Sequence, residues 1–339
     1  MAGDSLSSRQ PAYLHFSGTL GKRAVSMDLV KDRGFEGVPI YNGTFSFDSE
    51  QEPIPVYSDG GDTLTAVNLY ESGISEDRNG RFTGKFQDGV FEGIYTSGEG
   101  KKEKFVLRIS EPSGGMKFRF LQKDTLFLAM ENLKAPNARF SWHFLQPEEA
   151  WLLDSILTEL HGDSLVKAGK GNPAAVFREL GNQYAKDYRE SVEPFLPEDS
   201  INVSLNYDLN YGMEVLFNRN QLLSIALTQY QYSGGAHGMM YTQCHSFDLN
   251  AKKKIRMTDV FKPGYLPGLK AAINKAARKK YKVSDLSEAL LVAEIEPNEN
   301  FYLTGKGICF VFQPYEIGPY SMGEQHIYIP YSQIKDIVK

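Results

Sequence analysis

One of the six histidines stands in a setting that could do chemistry. His237 lies in Tyr232-Ser233-Gly234-Gly235-Ala236-His237-Gly238. Three glycines around one imidazole permit positive φ and close backbone approach, so the ring can be held at an exposed, fixed point. An imidazole so placed can touch a ligand or handle a proton near neutral pH. The same turn can equally be a tight strand connection in which His237 bonds backbone carbonyls. It is not a phosphate loop, because it lacks the Gly-x4-Gly-Lys-Ser/Thr spacing and leads into an extended segment. The second unusual stretch runs from Pro314 to Gly323 and holds Tyr315, Glu316 and Tyr320 between two prolines and two further glycines. Stiff loops present aromatic rings at low entropic cost, so this stretch suits recognition, or inward packing at a crossover.

Other chemistries find little support. No Gly-x-Ser-x-Gly elbow occurs, and Ser233 beside His237 is near only in sequence. His237 and His245 are eight apart, with no His-Glu-x-x-His motif and no cysteine pair, and Glu324 and His326 offer two ligands at most. No metal, no cofactor and no catalytic residue are therefore expected. Charge is uneven. Between Lys252 and Lys282, eleven Lys and Arg face one acid, Asp259. Lys252, Lys253, Lys254, Arg256, Lys275, Arg278, Lys279 and Lys280 form either a solvated face or a patch for an anionic partner. Residues 140–166 carry Glu148, Glu149, Asp154, Glu159 and Asp163 without a Lys or Arg, a surface suited to a cationic protein.

These residues need elements to position them. Residues 1–115 hold 17 of the 31 glycines, spaced between short alternating segments. Candidate strands are Tyr13 to Leu20, Ala24 to Val30, Val38 to Phe47, Thr63 to Glu71, Arg81 to Phe86, Phe91 to Thr96 and Glu103 to Ile109. Asp88-Gly89 is a hairpin turn signal between two of them. The pattern predicts a β-meander curling into a small barrel, over residues 13–115 after a polar leader, 1–12. Glu111-Pro112-Ser113-Gly114-Gly115 marks the boundary. Beyond it, over 116–339, helices are expected from Pro147, from Asn172-Pro173 and over Pro267 to Tyr281, with a short final one from Ser332. Strands are expected over Ile201 to Asp208, Met213 to Phe217, Leu222 to Tyr232, Met240 to Leu249, Phe301 to Leu303, Ile308 to Gln313 and Gln325 to Ile329. The mixture lacks a regular βαβ alternation, so the class is α+β with a mostly antiparallel sheet and packed helices.

Composition bounds the functions. The chain has 339 residues, 41% hydrophobic and 12% aromatic, enough to bury cores in two domains. A net charge of -5 disfavours a globally basic nucleic-acid binder. No apolar run is long enough to span a membrane. Two cysteines, Cys244 and Cys309, are too few for a disulfide framework and read as buried thiols, or as one bridge if their strands are neighbours. The first ten residues lack the apolar region of a signal peptide.

Two phrases carry a resemblance. The first is Tyr232 to Gly238, followed by Ser246-Phe247-Asp248-Leu249 and Asp259-Val260-Phe261. The second is Phe312-Gln313-Pro314-Tyr315-Glu316-Ile317-Gly318-Pro319-Tyr320, followed by Ile329-Pro330-Tyr331. Their order and separation resemble the bacterial envelope domain of the RsiV/PdaC type. That domain is found outside the membrane in lysozyme-sensing anti-sigma factors and as a non-catalytic module of polysaccharide deacetylases. The likeness is good from about Ile201 to Lys339, weaker from Ala138, and leaves residues 1–115 outside. It implies an exported or periplasmic protein of the cell envelope that binds cell-wall glycan or a wall-active protein such as lysozyme, with a lipid anchor left open and no nucleic-acid partner. His237, Tyr232, Tyr315, Glu316 and Tyr320 are the expected contacts. The rival expectation is a hydrolase of wall polymer that uses His237 as acid or base with a carboxylate such as Glu316.

Overall fold

The structure is a computed structural model that describes residues 11–33, 39–58, 66–71, 80–130, 136–168, 171–196 and 203–339. The start of the polar leader (1–10) and the starts of the strands expected from Val38, from Thr63 and from Ile201 lie outside the described residues. The chain divides into two compact units. The first comprises 1–116, 214–226 and 244–339; the second comprises 117–213 and 227–243.

The first unit opens with a closed antiparallel barrel of eight strands. They are β1 (Ala12–Leu20), β2 (Arg23–Arg33), β3 (Pro39–Phe47), β4 (Ile54–Tyr57), β5 (Ala66–Glu71), β6 (Arg81–Gln87), β7 (Val90–Thr96) and β8 (Lys102–Ile109). Pairing of β1 with β8, from Phe16↔Ile109 to Leu20↔Phe105, closes it. Alternation sends Phe16, Leu20, Met27, Leu29, Phe45, Leu69, Phe82, Phe91, Phe105 and Leu107 inward. Aromatic rings fill the interior edge to face, as at Phe82–Phe105 (5.1 Å). Asp88 and Gly89 both have positive φ (50° and 77°), the backbone that a two-residue hairpin turn requires. Gly43 sits where strands crowd, since a Cβ there would lie 2.0 Å from the Asp28 carbonyl oxygen. The meander expected to curl on itself is this barrel; β4 was not foreseen.

The segment after the barrel contains two strands that the sequence reading omits, β9 (Phe118–Leu128) and β10 (Asn137–Pro147). They pair antiparallel. Pro147 ends β10 and does not open a helix. It sits at the end of the ladder, where its missing N–H is tolerated. Helix α1 (Ala150–Ala168) starts three residues later and breaks at Gly162 (φ 75°, ψ 158°), so Glu148 and Glu149 precede its first turn. Helix α2 (Pro173–Val192) begins as expected. The Asn172 side chain accepts from the Ala174 and Ala175 amides (3.0 and 3.4 Å), and Pro173 occupies the first turn. Asn172→Ala is expected to cost about 1 kcal/mol of local helix stability. Amide exchange in the first turn of α2 would report it, and unchanged exchange would refute it.

The later strands are β11 (Tyr207–Arg219), β12 (Leu222–Tyr232), β13 (Met239–Asp248) and β14 (Lys253–Lys254). The sheet order is β14-β13-β12-β11-β10-β9. The strand expected over 213–217 is part of β11, but of the strand expected over 201–208 only Tyr207 and Asp208 belong to β11, because Val203–Leu205 form a 3-10 turn. It pairs parallel with β10, from Ala138↔Tyr207 to Trp142↔Tyr211. A parallel pair needs a crossover, and α1 and α2 supply it.

Short α3 (Met257–Val260) and α4 (Leu266–Tyr281) precede a three-stranded antiparallel sheet, β15 (Phe301–Leu303), β16 (Gly307–Phe312) and β17 (Gln325–Pro330). Period-two alternation splits this sheet. Ile308, Phe310, Phe312, Ile327 and Ile329 share a core with Leu269, Ile273 and Ala277 of α4. Tyr302, Cys309 and Val311 face the other way, beside Leu216, Ala226 and Cys244. The short helix expected from Ser332 is a single 3-10 turn, Tyr331–Gln333.

Candidate functional site

The glycine-rich loop lies in the second unit. Gly234 and Gly235 have φ of 91° and 93°, and the Tyr232 hydroxyl donates to the Gly235 carbonyl at 3.0 Å. Gly238 lies against the Tyr230 ring, where a Cβ would be 2.4 Å from ring atoms. The turn is thus fixed by its glycines and by two tyrosines on the strand before it, Tyr230 and Tyr232. His237 is exposed, with Nδ1 3.0 Å from the Gly238 carbonyl. Directly after it Met239, Met240 and Tyr241 are 42%, 43% and 51% exposed. That apolar run was missed because a Met-Met-Tyr phrase at a strand start reads as core.

The Pro314–Gly323 loop lies in the first unit and is locked by Glu316. One carboxylate oxygen accepts from the Gln313 amide (2.8 Å) and the other from Asn298 Nδ2 (3.0 Å). The Tyr315 amide donates to the Gly318 carbonyl (3.0 Å), and Tyr315 is held at φ 71°, the left-handed region. The Tyr315 and Tyr320 rings come together, centroids 5.7 Å apart at 30°. Tyr315 is 53% exposed and Tyr320 is half-buried. Glu316 therefore shapes the loop, and the two tyrosines form its outer surface.

The basic stretch is partly internally engaged. Lys253 Nζ meets Asp259 Oδ1 at 2.8 Å. Lys280 Nζ donates to the His326 carbonyl (2.8 Å), and Arg278 Nε donates to the Ser284 carbonyl (3.1 Å). Lys252, Arg256, Lys275 and Lys279 are exposed, and Lys254 is half-buried. Lys270, outside the expected patch, meets Glu294 (2.8 Å) and Glu296 (2.5 Å).

A polar cluster in the first unit was also missed. His326 Nε2 lies 2.5 Å from Glu324 Oε1, and its Nδ1 lies 3.4 Å from the Tyr302 hydroxyl. Burial opposes the imidazolium, but hydrogen bonding to Cys309 and Glu324 outweighs it and raises His326 to about 10. Burial, with Glu324 as a second cause, raises the Glu214 carboxyl to about 7. Burial likewise pushes the Cys244 thiol and the Tyr302 phenol well up. Both cysteines are buried and free. Cys309 is 1% exposed, too enclosed to meet a substrate, so this cluster is electrostatic support and not a nucleophile site. Glu324, just before β17, and His326, on it, are two residues apart and visible as a pair in sequence; Glu214 comes from β11, about a hundred residues earlier. Among the described residues, no group of three or more His, Cys, Asp or Glu is placed to hold a metal ion.

Comparison with known proteins covers the same regions. Residues 258–332 match a family described as a protein of unknown function, DUF3298, and residues 169–240 match the model for deacetylase PdaC. The peptidoglycan-N-acetylmuramic acid deacetylase PdaC of Bacillus subtilis (strain 168) is 27% identical over 160 residues. That stretch is 45% of this chain and 34% of the deacetylase, so the match spans about a third of that relative's length. A solved DUF3298 family member from Bacteroides fragilis NCTC 9343 shares 25% identity and a TM-score of 0.61, over 68% of this chain and 96% of that one. A DUF3298 family protein from Pseudomonas aeruginosa PAO1 shares 20% identity over 66% of this chain and 94% of its own, with a TM-score of 0.47.

Proposed function

We propose that this chain, which carries a PdaC/DUF3298-like domain over residues 169–332, is a non-catalytic recognition protein of the bacterial cell envelope that binds cell-wall glycan. The observation that carries this reading is the Tyr315–Tyr320 pair, Tyr315 exposed and Tyr320 half-buried, on a loop whose shape is already fixed by Glu316. A preformed aromatic surface loses little entropy on binding, and its faces suit the C–H faces of sugar rings. The relative whose name includes peptidoglycan deacetylation supports a wall ligand. The exposed Met239-Met240-Tyr241 run favours a second reading, a wall-active protein such as lysozyme as partner, because contiguous apolar surface marks protein contacts. A hydrolase with His237 as acid or base would need a free carboxylate beside it. Glu316, which the sequence suggests for that role, has both oxygens engaged, one by the Gln313 amide and the other by Asn298.

Co-sedimentation with insoluble peptidoglycan tests the proposal. Tyr315→Ala combined with Tyr320→Ala is expected to weaken retention about tenfold, the loss of a small aromatic contact surface. Unchanged retention would refute the assignment. Release of soluble fragments by the chain, abolished by His237→Ala, would instead establish the hydrolase.

A further inference from the structure

A groove in the second unit, between α2 and the β9–β10 pair, encloses about 230 Å³. Its composition follows from three periodicities. Lys123, Thr125 and Phe127 alternate along β9 and so share one face. Phe140 and Trp142 alternate along β10, with Phe140 opposite Thr125 and Trp142 opposite Lys123. Ala174, Phe177, Arg178, Gly181 and Asn182 fall on one side of α2 by three- and four-residue spacing. Phe140, Trp142 and Phe177 are buried and make the floor. Trp142 stacks on Phe177 at 4.4 Å and 6°, so the floor is rigid. Gly181 keeps the groove open, because a Cβ there would already lie 3.1 Å from the Phe140 ring, and anything longer would fill the space.

Charge is one-sided. Among the described residues, the charged ones lining the groove are Lys123 and Arg178, both exposed at its rim, with Thr125 and Asn182 as neutral polar groups. Asp124, next to Lys123, alternates to the opposite face of the sheet and pairs there with Arg139 (3.0 Å). Arg178 Nε is 3.7 Å from Glu179 Oε1, an exposed pair of little energy that a better-placed anion would displace.

We infer that this groove is a binding site for one ring-sized, carboxylate-bearing sugar unit. The volume admits one ring and falls below the roughly 300–1,000 Å³ of sites that take larger ligands. The apolar lining, in which Phe127 is the most exposed ring above the buried floor, takes the apolar face of the ring, Thr125 and Asn182 take its hydroxyl or amide groups, and the carboxylate lies between Lys123 and Arg178. Charge complementarity selects the acid, and the fork of the guanidinium suits a carboxylate. That the ring is a sugar rests on the wall-glycan reading above; that the site takes a ring-sized anion does not.

Soluble monosaccharides separate the two ideas, because the polymer test above reads the Tyr315–Tyr320 surface. The full chain is titrated by calorimetry and by tryptophan fluorescence with N-acetylmuramic acid, glucuronic acid, N-acetylglucosamine and benzoate. Trp142 is in the floor, so its emission should change on binding; Trp151→Phe isolates it from the other tryptophan. The two acidic sugars are expected to bind at least about tenfold tighter than the neutral one, the effect of one charge-assisted pair. Lys123→Gln with Arg178→Gln, both on the surface, should erase that preference while leaving the melting curve unchanged. No binding at about 10 mM ligand, where a millimolar site would be filled, overturns the site. So does equal binding of acidic and neutral sugars, or an acid preference that survives the double substitution. Benzoate binding as tightly as the sugar acids would overturn the sugar assignment, whatever the outcome with peptidoglycan.

Discussion

Asn218→Ala is expected to destabilise the first unit by about 3 kcal/mol, the cost of two buried backbone groups left unpaired. Asn218 is 1% exposed on β11. Its Oδ1 accepts from the Met116 amide at 2.7 Å, and its Nδ2 donates to the Met116 carbonyl at 2.8 Å and to the Tyr13 hydroxyl at 3.1 Å. One carboxamide thus pairs both backbone groups of Met116, in the segment between the barrel and β9, and also reaches the first barrel strand. The neighbouring backbone continues the seam, with Asn220 N donating to Ser113 O (2.7 Å) and Gln221 N to Gly114 O (2.8 Å). Alanine removes three hydrogen bonds and offers no replacement. Asn218→Asp should be no better, because it sets a second oxygen against the Met116 carbonyl. Denaturation followed together with exchange at the Met116 amide checks this. A loss under 1 kcal/mol with an unchanged Met116 amide would show that water or a shifted backbone replaces the carboxamide.

The second large effect depends on pH. Burial, reinforced by Glu324, raises the Glu214 carboxyl from its ordinary value of 4.5 to about 7. The fold therefore favours the protonated acid. The stability this group contributes is complete below pH 4.5 and is lost as pH rises through about 7. Linkage sets the size at about 3 kcal/mol, reduced to about 2 kcal/mol because the side chain keeps some contact with solvent. Glu214→Gln keeps the shape and removes the titration. The variant is expected to be more stable than the parent at pH 8 by about 2 kcal/mol and to differ little from it at pH 4.5. Melting curves of both proteins across that range decide it, and parallel pH profiles would show that Glu214 does not titrate in this window. His326 acts at higher pH. Raised to about 10 by Cys309 and Glu324 against its burial, it contributes stability that is whole below its ordinary 6.5 and lost as pH climbs through 10. The difference between the two proteins below pH 8 isolates Glu214, because His326 stays charged in both.

The barrel was legible because its signals are local. Alternating Phe82 and Phe86, the Asp88-Gly89 turn and the glycine spacing each constrain a few neighbours, and they agree. Helix α2 was legible from Asn172-Pro173 and the Phe177–Tyr188 stripe for the same reason. Strands β9 and β10 were not. Most of β9 is partly or fully exposed, so Gln122, Lys123 and Asp124 break the apolar alternation by which a strand is recognised. Pro147 misled because a proline can close a strand as readily as it can open a helix. The loop at 314–323 stood out by composition, but the role of Glu316 depends on Asn298, which only folding brings to it.

Read alone, the sequence determined the α+β class, the barrel-forming first part and a C-terminal PdaC-like region, because periodicity, turn residues and short phrases are properties of adjacent residues. Tertiary structure alone decided that Glu214 is buried within the electrostatic influence of Glu324 and His326, that Asn218 holds Met116, and that Trp142 and Phe177 stack in a groove lined by Lys123 and Arg178. Each of those arrangements joins segments from tens of residues to about a hundred residues apart. Burial then sets its energy, and burial is a property of the packed whole that no local pattern carries.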